Sequence, residues 1–196
     1  MDFTKFEWLN QSECEVKGND LVITAPPMTD FFCGDDFEDE NAPSSLNNAP
    51  FYYTNIKGDF VLQAKVSLAF KYTYDSATLM VMQDDKNWAK LCFEKTDFGT
   101  TAVVSVVTKG SSDDANGNNV TVDEICLQIA KKNNSFAFHY SLDGINFYMV
   151  RFFCMPKTDS IKVGFVAQSP TGQGGKRYFS NISLEQKSLK NLREGI

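Results

Sequence analysis

DSATLMVMQDDKNWAKLCFE, residues Asp75–Glu94, divides into two apolar runs around Asp85-Lys86-Asn87. The run Ala77–Asp84 reads as one strand of a hairpin and Trp88–Lys95 as its return. Leu79, Met80, Val81 and Met82 are apolar at consecutive positions. Side chains alternate between faces along a strand, so this strand is predicted to be covered on both sides. On the return strand Ala89, Leu91 and Phe93 point one way, and Trp88, Lys90, Cys92 and Glu94 point the other. One face joins a core. The other sets an aromatic ring, a cation and a carboxylate in a row, which suits the floor of a binding surface.

Outward from the hairpin the chain keeps to strand patterns. Phe60, Leu62, Ala64, Val66, Leu68 and Phe70 alternate with mostly polar neighbours. Leu21–Ala25, Thr101–Thr108, Glu124–Lys131, Ser135–Leu142, Phe147–Phe153, Ile161–Gln168 and Tyr178–Glu185 add further strands, and Phe3–Glu7 with Leu9 reads as an edge strand. Lys109–Asn119, KGSSDDANGNN, is a cluster of turn residues and is predicted to be a loop. Asn41–Pro50 reads as loop, and the Gly-rich Ser169–Lys176 as a strand connection rather than a phosphate cradle, because no helix follows it. A 3.6-residue period is absent until Ser188–Glu194, where a helical turn or two is expected. About ten strands without intervening helices indicate an all-β antiparallel sandwich. Residues 1–186 are expected to form one domain and 187–196 a tail.

Composition narrows the class of partner. A net charge of −6 over 196 residues disfavours nucleic acid and anionic membranes, which require clustered basic surface. No apolar run approaches the roughly 20 residues of a membrane span. The opening MDFTKFEWLN has no apolar core of the kind a secretory signal carries, so a cytoplasmic protein is expected. Its five cysteines are odd in number, widely spaced and without a CxxC pair, which fits small buried thiols in a reducing compartment rather than zinc or dithiol chemistry.

Several short motifs run in order along nearly the whole chain. They are Thr29-Asp30-Phe31-Phe32, Gly58-Asp59-Phe60, Tyr74-Asp75, Leu79-Met80-Val81, Asp84, and Trp88-x-Lys90-x-x-x-Glu94. Ser105-Val106-Val107-Thr108, Ser112-Asp113, Tyr140-Ser141-Leu142-Asp143-Gly144, Arg151, Val163-Gly164 and Ser169-Pro170-x-Gly172 follow. In these the chain resembles the regulation-of-enolase-like family, which implies a jelly roll of the concanavalin A-like lectin/glucanase type. The chain departs from the family pattern at Asp114, Ser76 and Phe32, where an aromatic, a Gln and a Trp are usual. Relatives of that fold bind or hydrolyse polysaccharide on the concave face of the larger sheet, although a fold alone does not fix a function.

The resemblance and the hairpin together place a saccharide site on that face. Trp88 is expected to stack on a sugar ring, Lys90 and Glu94 to hydrogen-bond it, and Asp30 and Gln168 to join from a loop and a late strand. Lys90 and Glu94 lie about 13 Å apart along a strand, so each is expected to have its own partner, with Arg151 and Asp84 as candidates. Hydrolysis needs a second carboxylate, which Asp30 or Asp113 would have to supply, since the glucanase Glu-x-Asp-x-x-Glu run is absent. His139, the single histidine, lacks any triad signature and reads as an ordinary half-exposed residue. Asp35–Glu40 is acidic enough to hold calcium but lacks ligand spacing, so no cofactor is expected. A protein-interaction module acting through its loops is the remaining alternative.

Overall fold

The computed structural model describes residues 1–39 and 43–196. A single 3₁₀ turn, Phe3–Lys5, opens the chain where an edge strand was expected, capped by Asp2 accepting from the Thr4 amide at 3.2 Å. The strands of the first half are β1 (Glu7–Leu9), β2 (Cys14–Lys17), β3 (Asp20–Ala25), β4 (Phe31–Phe32), β5 (Leu46–Asn47), β6 (Phe51–Ile56), β7 (Phe60–Leu68) and β8 (Ser76–Asp84). Those of the second half are β9 (Asn87–Lys95), β10 (Thr101–Lys109), β11 (Ser111–Asn119) and β12 (Glu124–Lys132). β13 (Ser135–Ser141), β14 (Tyr148–Cys154), β15 (Ile161–Gln168) and β16 (Gly175–Glu185) complete them.

Two seven-stranded antiparallel sheets pack face to face, ordered β1-β6-β15-β8-β9-β10-β11 in front and β14-β13-β12-β7-β16-β3-β2 behind. The fold is the β-sandwich jelly roll. The alternation in β7 puts Phe60, Leu62, Ala64, Val66 and Leu68 into the core between the sheets. Ala77, Leu79 and Val81 of β8 meet them from the front sheet with Ala89, Leu91 and Phe93 of β9. Each large apolar side chain buried in this way contributes roughly 1.5–3 kcal/mol. Ser105 is the exception among the described residues: its hydroxyl is buried with no hydrogen-bond partner. Its strand neighbour is Leu91, so it sits on the core face.

Three expectations are corrected here. Ser111–Asn119 is strand, not loop: it pairs with β10 across Ala102–Lys109 through one register shift, which lets a sequence poor in β-formers extend the ladder at an edge. The tail forms no helix; Asn191 closes a turn by accepting from the Gly195 amide at 3.1 Å. Leu189 and Leu192 of that tail instead pack on Val61, Ala130 and Ala137, outside the back sheet. His139 is fully buried under the same tail, with Nε2 2.8 Å from the Leu192 carbonyl and Nδ1 3.1 Å from the Gln128 amide nitrogen. The carbonyl can only accept, so Nε2 carries the proton. Burial lowers the pKa of this imidazole, which serves to hold the tail in place.

Candidate functional site

The outer face of the front sheet is built in rows. Gly164, Met80, Lys90, Val106 and Asp114 stand in register on five neighbouring strands, and Gln168, Ser76, Glu94 and Ala102 form a second row. The two ends of this face fare differently. At the Trp88 end Phe31 and Ala49 close over the sheet, burying Trp88 with Phe51, Met80, Met82 and Val106. At the Glu94 end a cavity of about 520 Å³ stays open, lined by Asp30, Lys90, Glu94, Asp114 and Gln168 with Tyr74, Phe32, Met28 and Pro170 among its walls.

Of the residues expected to act together, Asp30, Lys90, Glu94 and Gln168 therefore share one cavity. Trp88 does not. It is 1% exposed and meets Phe31 edge-on, with ring centroids 6.0 Å apart. A ring so covered cannot stack on a ligand, because the loop has already taken that place. Tyr74 is the aromatic tyrosine that lines the cavity instead.

Lys90 is held by geometry that the sequence did not suggest. Its ammonium lies 2.8 Å from Asp30 Oδ1, 2.7 Å from the Phe31 carbonyl and 3.2 Å from Gln168 Oε1. Burial is the largest influence on this lysine and disfavours its charge, but Asp30, Cys92 and Glu94 together outweigh it and raise its pKa. The partners anticipated for the pair lie elsewhere. Arg151 bridges to Asp113 at 2.8 Å on the surface, and Asp84 caps the hairpin turn by accepting from the Lys86 amide at 2.9 Å.

Glu94 is the least satisfied of the group. It is 7% exposed, and the Lys90 ammonium on the same face is spent on Asp30, the Phe31 carbonyl and Gln168. Burial pushes its carboxyl well above the usual carboxylate range; Lys90 opposes the shift, while Asp114 and Asp30 reinforce it. Asp114, rather than Asp113, is the additional carboxylate at the cavity. It keeps solvent access at the rim, yet the walls around it are close enough that desolvation still raises its pKa, against the pull of Lys90.

A buried clamp fixes the cavity end of the two sheets. Arg177 of β16 reaches Asp75 at 2.8 Å, with both side chains almost wholly buried. The same guanidinium donates to the Gln168 carbonyl at 2.8 Å and to the Ser76 carbonyl at 3.1 Å. Asp75 also accepts from Ser169 Oγ at 2.6 Å and from the Tyr72 amide at 3.0 Å. Gln168 is thereby set in place, and Thr29 pairs with Ser169 to deliver Asp30 beside it. Sequence reading missed Arg177 because its strand partners, Leu68 and Ile23, are apolar and nothing local marks an ion pair.

Backbone strain collects at the same place. Among the described residues five non-glycine positions have left-handed φ, and three of them are Asn, which tolerates it well. The other two, Met28 at 56° and Tyr74 at 67°, both line the cavity. Such conformations persist where surrounding contacts impose them, and they gather at ligand sites.

Residues 8–187 match the family described as "Protein of unknown function (DUF1349)". The chain belongs to this family. The chain is also similar to regulation of enolase protein 1 of Saccharomyces cerevisiae, 31% identical over 138 residues that make up 69% of this chain and 68% of that one. A crystal structure of a functionally unknown protein from the same yeast superposes with a TM-score of 0.85 at 24% identity, over 94% of this chain and 98% of that one. The carbohydrate-binding module CBM66 from Bacillus subtilis superposes with a TM-score of 0.57 at 10% identity, over 92% of this chain and 95% of that one. These two structural likenesses establish the shared β-sandwich fold of this DUF1349 member.

Among the described residues no helix is long and apolar enough to cross a membrane. No group of three or more metal-binding side chains is found among them either. In the acidic segment Asp36 accepts a short hydrogen bond from Ser111 Oγ, and Glu40 lies outside the described residues.

Proposed function

We propose that this chain is a carbohydrate-binding β-sandwich whose ligand occupies the cavity over Lys90 and Glu94. The observation that carries the reading is the cavity's make-up. Four ionisable side chains and one amide converge on a volume of about 520 Å³ whose walls include Tyr74, Phe32 and Met28. Convergent polar groups between apolar walls are how a pocket orients a hydroxylated ring. The likeness to a carbohydrate-binding module supports the reading at the level of fold only.

The test is thermal shift across an oligosaccharide panel. A ligand bound only by the folded state adds about 2.7 kcal/mol of stability at a hundred times its dissociation constant, which is a clear rise in Tm. The rise should vanish in Tyr74→Ala. A panel without any shift, at concentrations into the millimolar range, would refute the reading.

Hydrolysis is a second reading, favoured by the setting of Glu94, a buried carboxyl at the cavity whose pKa burial raises, with Asp114 and Asp30 lining the same cavity. A carboxyl with a raised pKa next to other carboxylates is the group that general-acid catalysis needs. Release of reducing ends from a bound oligosaccharide, abolished in Glu94→Gln, would establish turnover; binding with no product would leave a binding module.

A further inference from the structure

We propose that the preferred ligand is an amino sugar bearing a free ammonium group, of the glucosamine type, rather than a neutral, N-acylated or anionic saccharide. This rests on the carbohydrate-binding reading above and specifies the chemistry that the cavity selects.

The argument begins with donors. An ammonium has three N–H bonds, and those of Lys90 are directed to Asp30 Oδ1, the Phe31 carbonyl and Gln168 Oε1. The single cation of the cavity thus has no N–H left for an anionic ligand. Phosphate, sulfate or uronate groups would meet three carboxyls and no unused positive charge.

Acceptors are in surplus. Asp30, Glu94 and Asp114 line the cavity against one lysine, and that lysine is already paired with Asp30. Glu94 is the decisive member. It is more than nine-tenths buried and faces the cavity, and the neighbouring Lys90 ammonium is spent on other acceptors. A buried carboxyl left in that condition is costly, and a ligand that supplies both a proton donor and a positive charge relieves it. Sugar hydroxyls donate but bring no charge. A sugar ammonium brings both, and charge-assisted hydrogen bonds are about twice as strong as neutral ones.

Desolvation raises both Glu94 and Asp114, and Asp114 adds to the rise at Glu94, so an entering cation would lower both. Apolar walls from Phe32, Met28 and Pro170 reduce the competing hydration of that cation's ring.

The experiment is calorimetric titration with four length-matched oligosaccharide sets: β-1,4-linked glucosamine, its N-acetylated counterpart, neutral gluco-oligosaccharides and oligogalacturonates. At neutral pH and low salt the glucosamine set should bind at least about tenfold more tightly than the acetylated one. The oligogalacturonates should bind most weakly. In Asp114→Asn, an edge-strand change at an accessible position, the ratio of glucosamine to N-acetylated affinity should fall towards one, and added salt should reduce it in the native protein. Equal affinity for amino and neutral sugars, or a preference for acetylated or uronate chains, overturns this inference and leaves the carbohydrate reading standing. Failure of every set to bind overturns both.

Discussion

Glu94→Gln isolates the protonation state of the cavity carboxyl. Glutamine copies the shape of a neutral glutamic acid, so the substitution changes little except the ability to ionise. In the unfolded chain Glu94 titrates near its ordinary value of 4.5, whereas burial in the native state holds it well above that. Below pH 4 both states are protonated, and the native protein and the variant should be equally stable. As pH rises past 4.5 the unfolded chain releases the proton and the native state keeps it. Stability of the native protein then falls relative to the variant by up to about 1.4 kcal/mol per pH unit, until the native carboxyl itself ionises. Urea unfolding at half-unit intervals from pH 4 to 8 measures the difference directly, because all other titrating groups are common to both proteins. Stability curves that run parallel across that range would show that Glu94 ionises normally, and the account of an unsatisfied, protonated carboxyl would be refuted.

Three further outcomes follow from the packing. Arg177→Met strands the Asp75 carboxylate inside the protein and should cost about 3–5 kcal/mol in denaturant unfolding; a loss below 1 kcal/mol would mean the clamp is dispensable. Ser105→Ala removes a buried hydroxyl that has no partner and should raise stability by about 1 kcal/mol, where a loss of that size would point to an undetected hydrogen bond. Met28→Gly relieves a left-handed backbone at a half-exposed side chain. The relief of about 1–2 kcal/mol is partly offset by glycine's backbone entropy, so a small gain in Tm is expected, and a marked drop would mean the side chain is an important contact.

The alternation in β7 and the double-faced apolar run in β8 made the sandwich legible from sequence, because period-two patterning is imposed wherever a strand separates two environments. The row Trp88, Lys90, Cys92, Glu94 was read onto the correct face for the same reason. What sits on top of that face was not legible. Trp88 and Glu94 look equivalent along the strand, and only the packing of Phe31, Ala49 and Phe51 buries one while the other is left at a cavity. Asp114 was missed because β11 is strand by position at the end of a ladder, not by propensity. The lysine's partners come from 60 and 78 residues away, a separation at which local spacing carries no information.

The composition of β11 has a consequence for the molecule in concentrated solution. A sheet edge offers unpaired backbone groups to any passing strand, and this sandwich has four edges: β1, β11, β14 and β2. β1 and β2 are only three and four residues long. β11, with its Asp, Asn and Gly residues, is long but makes a poor template for another chain. β14 is different, since Tyr148 and Phe152 stand exposed on a seven-residue strand whose one interrupting charge is Arg151. Intermolecular strand addition would therefore begin on the back sheet. The edge beside the cavity is kept clear, so the cavity and the edge most open to strand addition lie on opposite sheets of the molecule.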